Sequence, residues 1–158
     1  RGFFHNRFDC ERDEEVLQII PHVLIYGPDR TIFAYKRADK IEDYGDKRLF
    51  GKHSIGVGGH IGPKDGPNWL HNGLMREIGE EVIIDGELLQ LKVVGTMFSR
   101  EDAVSRVHFG VIYKMQVSGS VRPNMKESDS LIRDETVPQR FEAWSRLLIP
   151  HLEAILDA

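Results

Sequence analysis

The chain has 158 residues, of which 41% are hydrophobic and 29% charged; this is the size and make-up of one folded domain and excludes a disordered chain. Its formal net charge is -4 and it carries no basic run able to track a phosphate backbone, which argues against a nucleic-acid partner. No apolar stretch nears the ~20 residues that cross a bilayer, so no membrane partner is expected, and the single cysteine, Cys10, leaves no internal disulfide and points to a reducing, cytoplasmic setting.

Residues 1-18 are a polar lead-in with aromatic residues, read as a short helix followed by a strand or as an arm packed on the domain that occupies residues 19-158. "IIPHVLIYG" (19-27) is apolar and β-branched and predicts a buried strand. "GPDR" (27-30) has turn chemistry, so "TIFAYKR" (31-37) is expected to return as the second strand of a hairpin. Residues 38-54 read as an exposed loop facing a substrate. "SIGVGGHIG" (54-62) is glycine-dense and predicts a short strand that another backbone or a ligand approaches closely. Asn68 is a plausible N-cap for a helix over 68-82, with Leu70, Leu74, Met75, Ile78 and Val82 as its apolar stripe.

Strands follow at 88-98 and 107-117, the second alternating through Val107, Phe109, Val111, Tyr113, Met115 and Val117. They are joined by the polar loop 99-106. Residues 118-134 read as loop. A last helix spans 138-156, with Phe141, Trp144, Leu148, Leu152 and Ile155 facing the core, and Pro150 should kink or split it. The order β-β-β-α-β-β-α belongs to the α+β class, a mixed sheet flanked by helices.

The first helix carries "REIGEEV" (76-82), with Glu77, Glu80 and Glu81 at i, i+3 and i+4 on one face beside the apolar stripe. Like charges at this spacing repel by a few tenths of a kcal/mol per pair. Such a face is either solvated, with Arg76 nearby, or it holds a hard divalent cation, which prefers carboxylate oxygens.

The context separates these readings. Gly62, Asn68 and Arg76-Glu77-Ile78-Gly79-Glu80-Glu81 stand at G-x5-N-x7-R-E-I-G-E-E, which resembles the Nudix box of the Nudix hydrolases, G-x5-E-x7-R-E-U-x-E-E-x-G-U, where U is a bulky aliphatic residue. "GGHIG" resembles the strand that leads into that box. "GKHSIGVGGHI" with a late "FEAWS" resembles a MutT-like branch of predicted Nudix phosphoesterases. Asn68 replaces the first glutamate of the pattern and Ile83 replaces its glycine; Asp65 is available to supply the missing charge.

The resemblance covers most of residues 19-156 and implies an α/β/α sandwich. It also implies cleavage of a diphosphate linkage in a nucleoside diphosphate joined to another group, with Mg²⁺ or Mn²⁺ as cofactor. Glu77, Glu80 and Glu81 map onto the metal positions, Gly59 would bring a backbone carbonyl to the metal, and Arg76 would orient the glutamates. Glu101 and Asp102 lead the candidates for a general base outside the box, followed by Glu127 and Asp129. Arg37, Arg48 and Lys52, with Lys36 and Lys47, would draw in a polyphosphate, or simply form a solvated charged surface. The partner implied is a small nucleoside-diphosphate-type molecule, and the resemblance leaves room for a homodimer. Asn68 and Ile83 support an alternative, a Nudix-fold domain that binds a nucleotide-like ligand without cleaving it; a diphosphate isomerase is a third reading on the same fold.

The glycine run 56-62 lacks a P-loop or dinucleotide-binding pattern. The seven histidines show no zinc spacing, and His53, His60 and His108 read as pocket-lining or ordinary residues. Cys10 has no neighbouring motif that would make it a nucleophile.

Overall fold

The apolar run at 19-27 forms the longest buried strand, β1 (Gln18–Tyr26). Both its faces are covered, and this settles the layering. Val23 and Ile25 point into one apolar cluster, while Leu24 points into another. A computed structural model describes residues 3–37, 51–124, 128–131 and 141–158.

In chain order the elements are α1 (Arg7–Cys10), β1, β2 (Tyr35–Arg37), β3 (His53–Ser54), β4 (Val57–Gly58), α2 (Trp69–Glu81), β5 (Val82–Asp85) and β6 (Leu88–Met97). They continue with β7 (His108–Val117), β8 (Ser120–Pro123), β9 (Ser128–Leu131), α3 (Ala143–Leu148) and α4 (Leu152–Asp157). The main sheet has the order β4-β1-β7-β6. β1 and β7 run parallel from Gln18 opposite His108 to Tyr26 opposite Gln116, and the flanking pairs are antiparallel. Two smaller antiparallel sheets, β3-β2-β9 and β5-β8, complete the set.

One layer is α2, whose Leu74 and Ile78 pack on Val23, Ile25, Val57, Tyr113, Met115 and Val117. The opposite layer is α3 and α4. Phe141 and Leu148 pack there with Leu24, Ile55 and Ile112, and Leu152 and Ile155 close the edge. The result is a mixed sheet between helices, as the element order predicts. Among the described residues no helix is long and apolar enough to cross a membrane.

Four local readings are corrected. The turn after β1 closes, with the Phe33 N–H donating to the Ile25 carbonyl at 2.8 Å, but beyond an isolated bridge at Ile32 the chain leaves for a second sheet as β2 and forms no long hairpin. Residues 53-54, expected in a loop, form β3 against β2. The stretch 118-134, expected as loop, holds β8 and β9. The helix over 68-82 stops at Glu81, and Val82 takes an extended conformation (φ -134°, ψ 155°) that leads straight into β5. Ile83 therefore pairs with Arg122 in a strand, and no left-handed cap is needed where the box pattern has glycine. Pro150 splits the last helix as expected, with a 3-10 turn at Ile149–His151 between α3 and α4. The loop 38-50 lies outside the described residues.

Candidate functional site

A helix of 13 residues gives Glu77, Glu80 and Glu81 a common face, and burial of Leu74 and Ile78 fixes which way that face turns. Glu77 and Glu81 are half-buried and Glu80 is exposed.

Arg76 joins the parts. Its Nε donates to Asp65 Oδ1 at 2.9 Å and its Nη2 to Asp65 Oδ2 at 3.2 Å, a two-point grip on one carboxylate. Its Nη1 donates to Glu77 Oε1 at 2.6 Å and lies 3.4 Å from Glu80 Oε2, while Nη2 also donates to the His60 carbonyl at 2.8 Å. The guanidinium thus spans the loop before the helix, the helix itself and the glycine-rich segment after β4. These bonds hold the Arg76 pKa above its ordinary value, with the Asp65 bond the largest cause and the Glu77 bond adding.

Asp65, noted from the sequence only as an available charge, is the acid that Arg76 grips. It ends a 3-10 turn (Pro63–Asp65) and is buried. The Gly62 N–H donates to its Oδ2 at 2.8 Å, and Asn72 Nδ2 donates to its backbone carbonyl at 2.7 Å. Hydrogen bonding from Arg76 is the largest cause of a carboxyl held below the usual range, outweighing burial, which pushes the other way. Asn68, at the position of the family's first glutamate, makes no side-chain cap bond. The acid paired with Arg76 from the loop is Asp65.

Gly59 lies against Glu77. A Cβ built there would land on the Glu77 carboxylate and push that side-chain end aside, so the glycine keeps the two in contact. At the other end of the face, the Tyr35 hydroxyl is 3.5 Å from Glu81 Oε2 and 3.4 Å from the Gly56 carbonyl. Burial is the main cause that pushes the Tyr35 phenol well above its ordinary pKa, so it stays a neutral donor. Asn124 closes the helix: its N–H donates to the Glu81 carbonyl at 2.8 Å and its Nδ2 to the Glu80 carbonyl at 3.0 Å. Tyr35 and Asn124 reach the site through tertiary pairing and have no spacing relation to the box.

The donor set is oxygen-rich, which is the chemistry a hard divalent cation takes. Three carboxylates share one helix face, two of them half-buried, with a glycine backbone seated on one of them.

The other sequence candidates are scattered. The Arg37 guanidinium lies 5.6 Å from the Tyr35 ring centroid, near the Glu81 end. The backbone N–H of Arg37 donates to the Lys52 carbonyl at 2.9 Å, which sets the end of β2 beside the residue that precedes β3. Glu101 is exposed and pairs with Arg146 of α3, the helix on the opposite face of the main sheet from α2. Asp102 accepts the Ser105 N–H at 2.7 Å and so shapes the turn before β7. Arg48 and Glu127 lie outside the described residues, and Asp129 falls within β9.

No family model matches the chain. Among solved structures it is similar to Tm1382, a candidate Nudix hydrolase, at 30% identity and a TM-score of 0.75, covering 96% of this chain and 78% of that one. It is also similar to the NUDIX domain of NrtR from Shewanella oneidensis, whose structure contains ADP ribose, at 13% identity and a TM-score of 0.63, with 90% of each chain covered; at that identity the likeness is one of fold. Among curated proteins, YmaB of Bacillus subtilis (strain 168) is 29% identical in an alignment 161 positions long that covers 93% of this chain and 76% of that protein.

Proposed function

The chain belongs to the Nudix hydrolase family, and from that premise we propose that it hydrolyses a diphosphate linkage in a nucleoside diphosphate joined to a second group, with Mg²⁺ or Mn²⁺ as cofactor. The observation that supports this reading is the Arg76 network, which ties Asp65, Glu77, Glu80 and the His60 carbonyl into one arrangement. Glu77, Glu80 and Glu81 would hold the cation, with the Gly59 carbonyl beside them. When bound, the cation would neutralise phosphate oxygens and acidify the attacking water.

The chain's own residues supply positioning. Arg76 keeps the Glu77 carboxylate turned towards Gly59 and offsets the mutual repulsion of the glutamates. The neutral Tyr35 hydroxyl orients Glu81. Arg37 and Lys52, together with Arg48, would attract the substrate's phosphates. Glu101, in the loop between β6 and β7, would serve as the base only on release from its pair with Arg146 on the α3 side. The ADP ribose held by the NrtR domain makes a nucleoside diphosphate with a sugar the first substrate to try.

The test is a panel of ADP-ribose, NADH, nucleotide sugars, dinucleoside polyphosphates and oxidised nucleotides, assayed with Mg²⁺ or Mn²⁺. Turnover should fall by at least about 100-fold in Glu77→Gln and Glu81→Gln. No turnover above the Glu81→Gln background on any substrate would remove the enzymatic reading. Asn68 keeps a second one in play, since it brings no charge where the family has a glutamate. Calorimetric binding of a nucleotide without product would select that non-hydrolytic domain.

A further inference from the structure

The lead-in crosses the entry ends of the two parallel strands, β1 and β7. It carries Glu11 to a place where two histidines from distant parts of the chain converge. His60 Nε2 and His108 Nε2 are 3.1 Å apart, His60 Nε2 is 3.5 Å from Glu11 Oε1, and His108 Nε2 is 3.8 Å from the same oxygen. A triangle with those sides has a circumradius of about 2.0 Å. A point equidistant from the three atoms therefore lies at the bond length of zinc to imidazole nitrogen and carboxylate oxygen, ~2.0–2.2 Å.

A second observation points the same way. The Nδ1 of His108 lies 2.6 Å from the Val104 carbonyl, which can only accept, so the proton of a neutral His108 is on Nδ1 and the Nε2 lone pair faces the cluster. A backbone carbonyl that fixes the tautomer of a ligating histidine is the usual support of a metal-bound imidazole. His108 is buried, and His60 and Glu11 are half-buried. Around the cluster, Gln18 Nε2 lies 3.4 Å from His108 Nε2, Trp144 stands edge-on to His108, and Arg7 Nε lies 3.4 Å from Glu11 Oε1 in a pair that a bound cation would replace.

We propose that Glu11, His60 and His108 form a second metal site, separate from the glutamates of α2, for Zn²⁺ or another divalent transition ion that favours imidazole. Two nitrogens and one oxygen suit such an ion better than Mg²⁺, which takes oxygen ligands. The ion would pin the lead-in to the start of β7. Through His60, whose carbonyl accepts from Arg76, it would brace the segment after β4 that carries Gly59. Sequence spacing hides the site, because His60, just after β4, and His108, at the start of β7, are 48 residues apart and Glu11 precedes the domain.

The test uses full-length protein stripped with EDTA, in which Glu77→Gln and Glu81→Gln together remove the α2 site. Zn²⁺ is titrated by calorimetry and Co²⁺ by visible absorption. This background should keep one equivalent of Zn²⁺, and the Co²⁺ complex should show the d–d bands of a low-coordinate nitrogen and oxygen site. Adding Glu11→Gln or His60→Gln should weaken Zn²⁺ by at least about 10-fold, with circular dichroism verifying that each variant is folded. If the background binds no Zn²⁺, the three residues form a hydrogen-bonded cluster without an ion and the proposal fails. Binding that Glu11→Gln and His60→Gln both leave unchanged would also overturn it. Neither result depends on phosphohydrolase activity, so failure here and failure of the proposed reaction are distinguishable.

Discussion

His22 is a base that the fold keeps without its proton. It lies on β1, edge-on to Trp144 with ring centroids 5.6 Å apart, and its ring packs against Gly56 where a Cβ would collide with it. Burial pulls its pKa from the ordinary 6.5 down to about 3, and the Arg37 charge adds to the effect. The sign follows directly. Between those two values the unfolded chain binds a proton that the folded chain excludes, so stability is complete above the unfolded pKa and is lost as pH falls, at about 1.4 kcal/mol per pH unit for this one group. Urea unfolding of the parent from pH 7 to pH 4 should show this loss, and His22→Gln should show a slope smaller by one proton; equal slopes would refute it. The role of His22 was not legible in the sequence, and of Asp65 only the available charge was, because burial and the grip of Arg76 depend on what the fold packs around each side chain. The face of Glu77, Glu80 and Glu81 was legible because helix periodicity alone places those residues together.

At the scale of elements, α3 starts on a buried acid. The Glu142 carboxylate accepts the N–H groups of Trp144 and Ser145, each at 2.7 Å, and the Ser145 hydroxyl as well. Its own N–H donates to the His53 carbonyl at 2.9 Å, so this cap also fastens β3 to the helix layer. Glu142→Ala would leave these donors unpaired in the interior. We expect a loss of about 1–3 kcal/mol in urea unfolding with an unchanged m-value, and partial recovery in Glu142→Gln, which keeps one oxygen acceptor. A loss below about 0.5 kcal/mol would show that water replaces the cap. Long elements such as β1, α2, β6 and β7 were readable because apolar periodicity persists over several turns or alternations. β3 and β5 are two and four residues long, too short for periodicity to register, and they exist because a partner strand is held beside them. Ile83 illustrates the point: judged as a helix terminus it breaks the box pattern, yet as a β5 residue opposite Arg122 it is an ordinary aliphatic strand residue.

For the whole molecule the central sheet is shared, and this couples the two helix layers. The layering could be read from the order of elements, whereas the division into three sheets could not, since it is decided by where β2 and β5 find partners. Successive β1 residues serve opposite layers: Val23 and Ile25 back α2, and Leu24 backs α3. If one layer melted, one face of β1 would be exposed along its length and the other layer would lose its support, so the domain should unfold in a single step. Leu74 is fully buried under α2 and Leu148 is buried on the far side; replacing either with alanine should cost about 2–5 kcal/mol. Trp144 is buried beside α3 while Trp69 is exposed on α2, so tryptophan emission reports mainly on the α3 layer and far-ultraviolet dichroism on the whole. In Leu74→Ala, where the damage lies across the sheet from Trp144, the two signals should still share one midpoint in urea, and the same should hold for Leu148→Ala. If dichroism in Leu74→Ala fell ahead of the Trp144 signal, the layers would be separable units and β1 would not be the element that couples them.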